Sequence, residues 1–402
     1  MSATSAAGTS YAHSVGDSLR ERLRMRAAGD LGPLPVIVGL AAVWIFFQTQ
    51  NSNFLTARNL SNLTLQMAVT AILAMAVVVV MVTGEIDLSL GSVTGVTSAL
   101  LGILLTNHHW STAAALAATF ALGLGIGLLQ GVITVFVGVP SFLVTLGGFL
   151  AWAGVQLALI GPAGNLPVNN ETIAAVGNSY FGHTSAWLLA GAAIVALATV
   201  EALRLREWQR AGGPPPLLHS VLRLTLVAAG ILGIVAFLNS NFGVPYVLVL
   251  FLGVAVVLGW VMRRTFFGRY LYAIGGNAEA SRRARVPVGA IRIVVLGLSG
   301  LLAGLAGVVS TSNLYATSAN TGGSTLLLEA IAAAIIGGTS LFGGRGRIYQ
   351  ALLGALVIAS VHNGLGLLGK PASTEQIATG SILVLAVSLD AFNRRRRAAA
   401  GT

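Results

Sequence analysis

Ionisable groups are scarce in this chain, which has 12 carboxylates, 6 histidines and no cysteine among 402 residues. No nucleophile, base and orienting group can be assembled from so few, and no metal-ligand spacing occurs. The absence of cysteine excludes disulfides and thiolate metal sites. Gly364 to Lys370, GLGLLGK, has the spacing of a phosphate-binding loop, but Pro371 replaces the required hydroxyl residue and no strand precedes it. The chemistry left to the chain is that of polar groups set in or beside long apolar runs, where membrane insertion penalises them and makes each a functional candidate.

Three such places stand out. In Gly84 to Ser92, GEIDLSLGS, Asp87 is placed to accept the amide hydrogens of Ser89 or Leu90 as the cap of the next helix, where the dipole favours negative charge. Glu85 has no such local partner and is either solvated or engaged in gating or partner contact. Ser89, Ser92 and Thr145 add hydroxyls as further gating or pathway candidates. Glu329 pairs with a polar group on another span or stays wetted at the outer surface, and a structural partner is the favoured expectation. Asn363, in His362-Asn363-Gly364, bonds a neighbouring helix or a passing hydroxyl-rich solute, packing being the commoner outcome.

A fourth stretch has the opposite character. Arg263 to Pro287, RRTFFGRYLYAIGGNAEASRRARVP, is a polar island between two apolar runs and must face water. Its six arginines mark that water as cytoplasmic. Gly275 and Gly276 are expected to supply a turn, Asn277 to cap a helix start, and Glu279 to Arg285 to form about two helical turns. A short helix so presented is a docking surface; the plainer alternative is a solvated loop that only sets topology.

The elements that position these residues follow from composition. Hydrophobic residues at 55%, charged residues at 9% and a mean hydropathy of +0.84 describe an all-α polytopic membrane protein. The net charge of +11 sits in short loops between apolar runs, which removes a nucleic-acid reading. About 20 apolar residues per crossing gives spans near 33–49, 63–83, 88–106, 112–137, 141–160, 185–203, 221–239, 244–262, 290–311, 325–342, 350–368 and 376–392, about 12 transmembrane helices within one 33–392 domain. With both termini cytoplasmic, only Arg58 and Lys370 among the basic residues fall outside. Residues 1–32 form a cytoplasmic tail in which Ser18 to Glu21 has capping-box spacing, predicting a short amphipathic helix on the inner leaflet. Residues 393–402 form a basic cytoplasmic tail. A secretory signal is not expected, because the run from Leu34 ends in Trp44, Phe46 and Phe47 without a small-residue cleavage site.

Glycine is expected to set the packing. Gly123, Gly127 and Gly131 form one stripe, Gly91, Gly95, Ser98 and Gly102 a second, and Gly297, Gly300, Gly304 and Gly307 a third. In lipid, such stripes let backbones approach closely where hydrophobic burial contributes little.

Over nearly its whole length the chain resembles the membrane (permease) subunits of bacterial ABC importers for simple sugars, in the wider group with the branched-chain amino acid permeases. The resemblance rests on GEIDLSLGS (84–92), PSFLVTLGG (140–148), GRYLYAIGGNAEA (268–280), EAIAAAIIGGTSLFGG (329–344) and Asn363-Gly364-Leu365, in that order. The extra spans at 185–239 resemble xylose-type members, a helix pair inserted in a 10-helix family core. The resemblance implies a permease homodimer around a pathway, an extracytoplasmic sugar-binding protein outside, ABC ATPase subunits inside, and a bacterial cytoplasmic-membrane location. By analogy Gly275, Gly276, Asn277, Glu279, Ala280 and Arg282 belong to the coupling helix within the 263–289 loop. Ser281 and Arg285 depart from the family's usual alanine and glycine. No cofactor is expected in this chain, with ATP and Mg belonging to the partner ATPase; the chain itself is not expected to be an enzyme. The rival, an ion-coupled secondary transporter of a small polar solute, requires carboxylates near the midplane and broken helices in matching halves, whereas Glu85, Asp87 and Glu329 are expected near span ends.

Overall fold

The computed structural model describes residues 33–210 and 217–399, so the expected amphipathic helix near Ser18 lies outside the described residues. The first half of the chain forms α1 (Leu34–Gln50), α2 (Ala57–Val82), α3 (Leu90–Thr106), α4 (Thr112–Val132) with a π-helical turn over Ile133–Val137, α5 (Ser141–Ile160) and the short α6 (Glu171–Asn178). The second half forms α7 (His183–Arg210), α8 (Leu217–Asn239), α9 (Tyr246–Arg264), α10 (Phe266–Gly276), α11 (Ala278–Arg283), α12 (Val288–Leu314), α13 (Gly323–Ile336), α14 (Ile348–Leu367) and α15 (Ala372–Ala399). Eight of these, α2, α4, α5, α7, α8, α9, α12 and α14, are long and apolar enough to cross a membrane, and α1, α3 and α13 are shorter apolar helices.

Each apolar run read from the sequence falls on a helix, with one clear difference. The run expected over 325–342 ends at Ile336, because Gly337 and Gly338 follow and Gly338 has φ +89°, which breaks the helix. The resulting 14-residue α13 is about 21 Å long, shorter than a bilayer core of about 30 Å. At the other end of the chain α15 continues through Ala399 rather than giving way to a tail at 393.

Helix α2 is buried nearly all round and forms the axis of the body, with α12 packed along α2, α3 and α4. The glycine stripes do what their spacing predicts. Gly123 and Gly300 lie back to back, each leaving no room for a Cβ against the other's carbonyl, and Gly127 sits against the Leu296 carbonyl. By contrast α7 and α8 pack chiefly on each other and expose most of their surface. Opposite the arginine-rich end, two short antiparallel ribbons tie loops together, β1 (Asn165–Pro167) with β4 (Ala316–Ser318) and β2 (Tyr180–Phe181) with β3 (Val244–Pro245).

Two helices start inside the body. Residues 84–89 run up the side of α5, with Ile86 N donating to Ser141 Oγ (3.2 Å) and Leu88 N to Thr145 Oγ1 (3.0 Å) before α3 begins. From the other side, the chain after β4 descends to α13, whose start at Gly322 and Gly323 touches Gly91 of α3. Non-helical backbone at membrane depth is tolerated where protein buries it or where it lines a wet cavity. Here Gln156 Nε2 satisfies the carbonyls of Ser318 and Thr321, each at 2.9 Å.

Candidate functional site

The arginine island folds as two helices in series. Thr265 caps α10 by accepting from Gly268 N (3.2 Å), and Asn277 caps α11 by accepting from Ala280 N (2.9 Å), as its sequence predicts. The expected turn at Gly275 and Gly276 is not there: both residues are helical and close α10. Gly275 is required for a different reason. Its α-carbon faces the Val82 carbonyl and Gly344 N so closely that a Cβ has no space, while Gly276 faces open space. Gly344 N in turn donates to Val82 O (2.9 Å), and Tyr272 Oη donates to Gly346 O (2.8 Å). The island is therefore seated on the end of α2 and on the 337–347 loop. Burial pushes the Tyr272 phenol up from its ordinary value, against the opposing pull of Arg263 and Arg347.

Helix α11 starts at Ala278 and stops at Arg283, two residues before the sequence suggests. Its end forms a Schellman closure, with Val286 N donating to Ser281 O (3.0 Å) and Arg285 N to Arg282 O (2.9 Å). Arg285 occupies the left-handed position at φ +60°, so the tight turn survives without glycine. Ser281 is buried and bonds back to Asn277 O (2.9 Å). Glu279, Ala280 and Arg282 are exposed on the presented face, and Glu279 pairs with Arg282 (3.6 Å) and Arg283 (3.3 Å).

Five pathway candidates lie along the 84–92 segment and the facing turn of α5. Glu85 is buried rather than solvated, and its carboxylate lies 2.6 Å from Arg292 Nε of α12. Asp87 accepts from Ser89 N (2.9 Å), as expected, and from Ser89 Oγ (2.6 Å) and Ser299 Oγ (2.6 Å). The N-cap of α3 is Ser89, whose helix start has no side-chain cap bond, so Asp87 is not the cap the sequence suggests. Ser89 Oγ also lies 2.9 Å from Gln130 Oε1. Thr145 both accepts from Leu88 N and donates to Ser141 O (2.9 Å), and Ser92 Oγ donates to Ser89 O (2.9 Å). A cavity of about 640 Å³ opens beside them, lined by Glu85, Arg292, Ser141, Arg282 and the π-helical turn at Thr134. Arg282 of the island and Arg292 of α12 thus share one cavity with Glu85.

Glu329 and Asn363 belong elsewhere. Glu329 faces Thr70 (3.4 Å) and His362 (3.9 Å), and His362 bonds Thr379 (2.7 Å), so the favoured structural partner is present. Asn363 exchanges side-chain hydrogen bonds with Asn59, accepting at 2.7 Å and donating at 3.1 Å, and donates to Gln66 (3.2 Å). The expectation of carboxylates near span ends fails for two of the three. Asp87 meets Ser299, about 16 Å along α12, and Glu329 meets Thr70, 13 residues beyond the start of α2. The extended 84–89 segment causes this by carrying Asp87 inward before its helix begins. Sequence reasoning missed Arg292, Ser299, Gln130 and Ser141. Arg292 had a usable signal as the lone charge within an apolar run.

The family described as branched-chain amino acid transport system / permease component matches residues 59–387. The chain belongs to this permease family. It is 34% identical over 364 residues to the xylose transport system permease protein XylH of Haemophilus influenzae, covering 90% of this chain and 96% of that protein. Against XylH of Escherichia coli K12 it is 35% identical, covering 90% and 92%. Against the ribose import permease protein RbsC of the same organism it is 32% identical over 355 residues, covering 88% and 92%. No solved structure matches the chain. The permease is a multi-pass protein of the inner membrane, consistent with the eight long apolar helices among its described residues. Its island, the segment before α3 and the start of α12 line one cavity through Arg282, Glu85 and Arg292.

Proposed function

We propose that this permease is the transmembrane subunit of an ATP-driven importer that moves a monosaccharide, xylose-like by its relatives, into the cytoplasm. The observation that carries this reading is the 34% and 35% identity to xylose transport permeases over 90% of the chain. In this reading separate ATPase subunits grip the exposed face of α11 through Glu279, Ala280 and Arg282, with Gly275 and Asn277 fixing its seat. Two copies enclose the pathway and a sugar-binding protein docks at the ribboned end. Closure of the ATPases on ATP moves α11, the Glu85–Arg292 contact transmits the motion, and the α3 start shifts with Asp87, Ser89 and Thr145. Exposed Ser324 and Thr325 at the inward-set start of α13 offer hydroxyls to an uncharged sugar. Reconstitution with its ATPase and binding protein tests this: labelled xylose uptake should need ATP and all three components.

The buried position of Asp87 and the two inward-starting helices favour one rival, coupling to an ion gradient. Uptake that collapses with an uncoupler while ATP is maintained would select it.

A further inference from the structure

The inserted pair α7 and α8 carries a second pocket that the importer reading does not use. Helix α7 is 28 residues long, about 42 Å, so it outruns a hydrocarbon core of about 30 Å. Its last turns, from about Arg204 on, therefore stand at headgroup level on the arginine-rich side. There Glu201 accepts from Ser220 of α8 (2.8 Å) and pairs with Arg204 (3.4 Å) and Arg223 (3.9 Å), locking the two helices and fixing both guanidinium groups. A cavity of about 320 Å³ opens over this clamp, lined by Arg204, Arg223, His219, Trp208 and, from α9, Arg264. Three arginines face the two carboxylates there, Glu201 and Glu207, and Glu201 is already engaged. Arg206 and Arg210, on the same last turns of α7, are exposed as well.

Below the pocket the surface turns apolar. Leu188, Val195, Leu203, Leu226 and Ile234 are exposed along α7 and α8, a surface that the acyl chains of a bilayer can cover. Trp208, 53% exposed at the rim, is the amphipathic residue favoured at that boundary. A cationic pocket at the edge of an exposed apolar surface matches a ligand with an anionic head and apolar tails. Basic pockets between helices on the cytoplasmic side recognise such headgroups.

We propose that this pocket binds the headgroup of an anionic phospholipid of the inner leaflet, tying the α7–α8 pair to α9. The proposal is independent of the cargo. The full-length protein is reconstituted in vesicles of mixed phosphatidylcholine and phosphatidylglycerol, extracted, and its retained lipid counted by native mass spectrometry. Phosphatidylglycerol should be retained over phosphatidylcholine, and retention should fall about fivefold for each of Arg204→Gln and Arg223→Gln. Arg264→Gln, which leaves the Glu201 clamp intact, should show the same loss even if the clamp variants misfold, while Arg58→Gln at the opposite end should show none. Equal retention of the two lipids, retention unchanged in Arg264→Gln, or full displacement by excess inorganic phosphate would each overturn it, the last assigning the pocket to a free anion.

Discussion

Glu85 and Arg292 lie 2.6 Å apart, joining the segment before α3 to the helix that leaves the arginine island. Glu85 is 9% exposed and Arg292 26%, so the pair is only partly wetted. Removing one partner strands a charge. Glu85→Gln should cost about 2 kcal/mol of stability, below the full buried-pair penalty because Arg292 keeps some water. The exchange Glu85→Arg with Arg292→Glu should recover part of it. Thermal unfolding in detergent of both singles and the double separates a coupling from two independent losses, and strictly additive losses would dismiss the pair.

Gly275 and Gly276 are neighbours with opposite demands. Gly275→Ala has to displace the Val82 carbonyl or the 343–344 backbone, an overpacking cost of about 1–3 kcal/mol. Gly276→Ala meets nothing within 4 Å and should be near neutral. In the reconstituted importer the first should abolish ATP-driven uptake and the second preserve it. Equal behaviour of the two variants would mean that the island is not seated on α2 as described.

Arg285 holds a left-handed conformation at φ +60° that an L side chain adopts at a cost. Arg285→Gly should therefore raise stability by about 1 kcal/mol, read as a higher unfolding temperature. A fall instead would show that the arginine side chain makes a contribution outweighing the strain.

The helical runs, their order and the glycine stripes were legible because length and apolar period survive in a single chain. The cap at Asn277 and the bond from Ser89 N to Asp87 were legible too, since each needs only residues two or three positions away. What the sequence hides is partnership across distance. Glu85 shows no local partner because its cation is Arg292, and Asp87 reads as a surface cap because nothing local reveals that residues 84–89 climb α5. Gly275 reads as a turn because positive φ and close approach both call for glycine, and only the Val82 and Gly344 backbones decide between them.

Sidedness is open to direct labelling, since the chain has no cysteine of its own. Asn169 and Ala280 are both exposed, the first beside β1 and the second on α11. Asn169→Cys should react with an impermeant maleimide on intact cells, and Ala280→Cys only after permeabilisation. The reverse pattern would invert the membrane orientation and remove α11 from reach of any cytoplasmic ATPase.

Glu279 is 61% exposed and its two arginine partners are i+3 and i+4 neighbours, so those pairs contribute only about 0.3–0.5 kcal/mol each. Glu279→Lys should therefore leave insertion and unfolding temperature nearly unchanged. In the importer proposed above, its effect belongs to the partner. A charge reversal on the presented face should lower xylose uptake sharply while the ATPase subunit alone keeps its hydrolysis rate, and crosslinking between α11 and the ATPase should fall in parallel. A stable variant with full uptake would leave α11 without a coupling role, whereas a destabilised one would show that the arginine pairs hold the helix together.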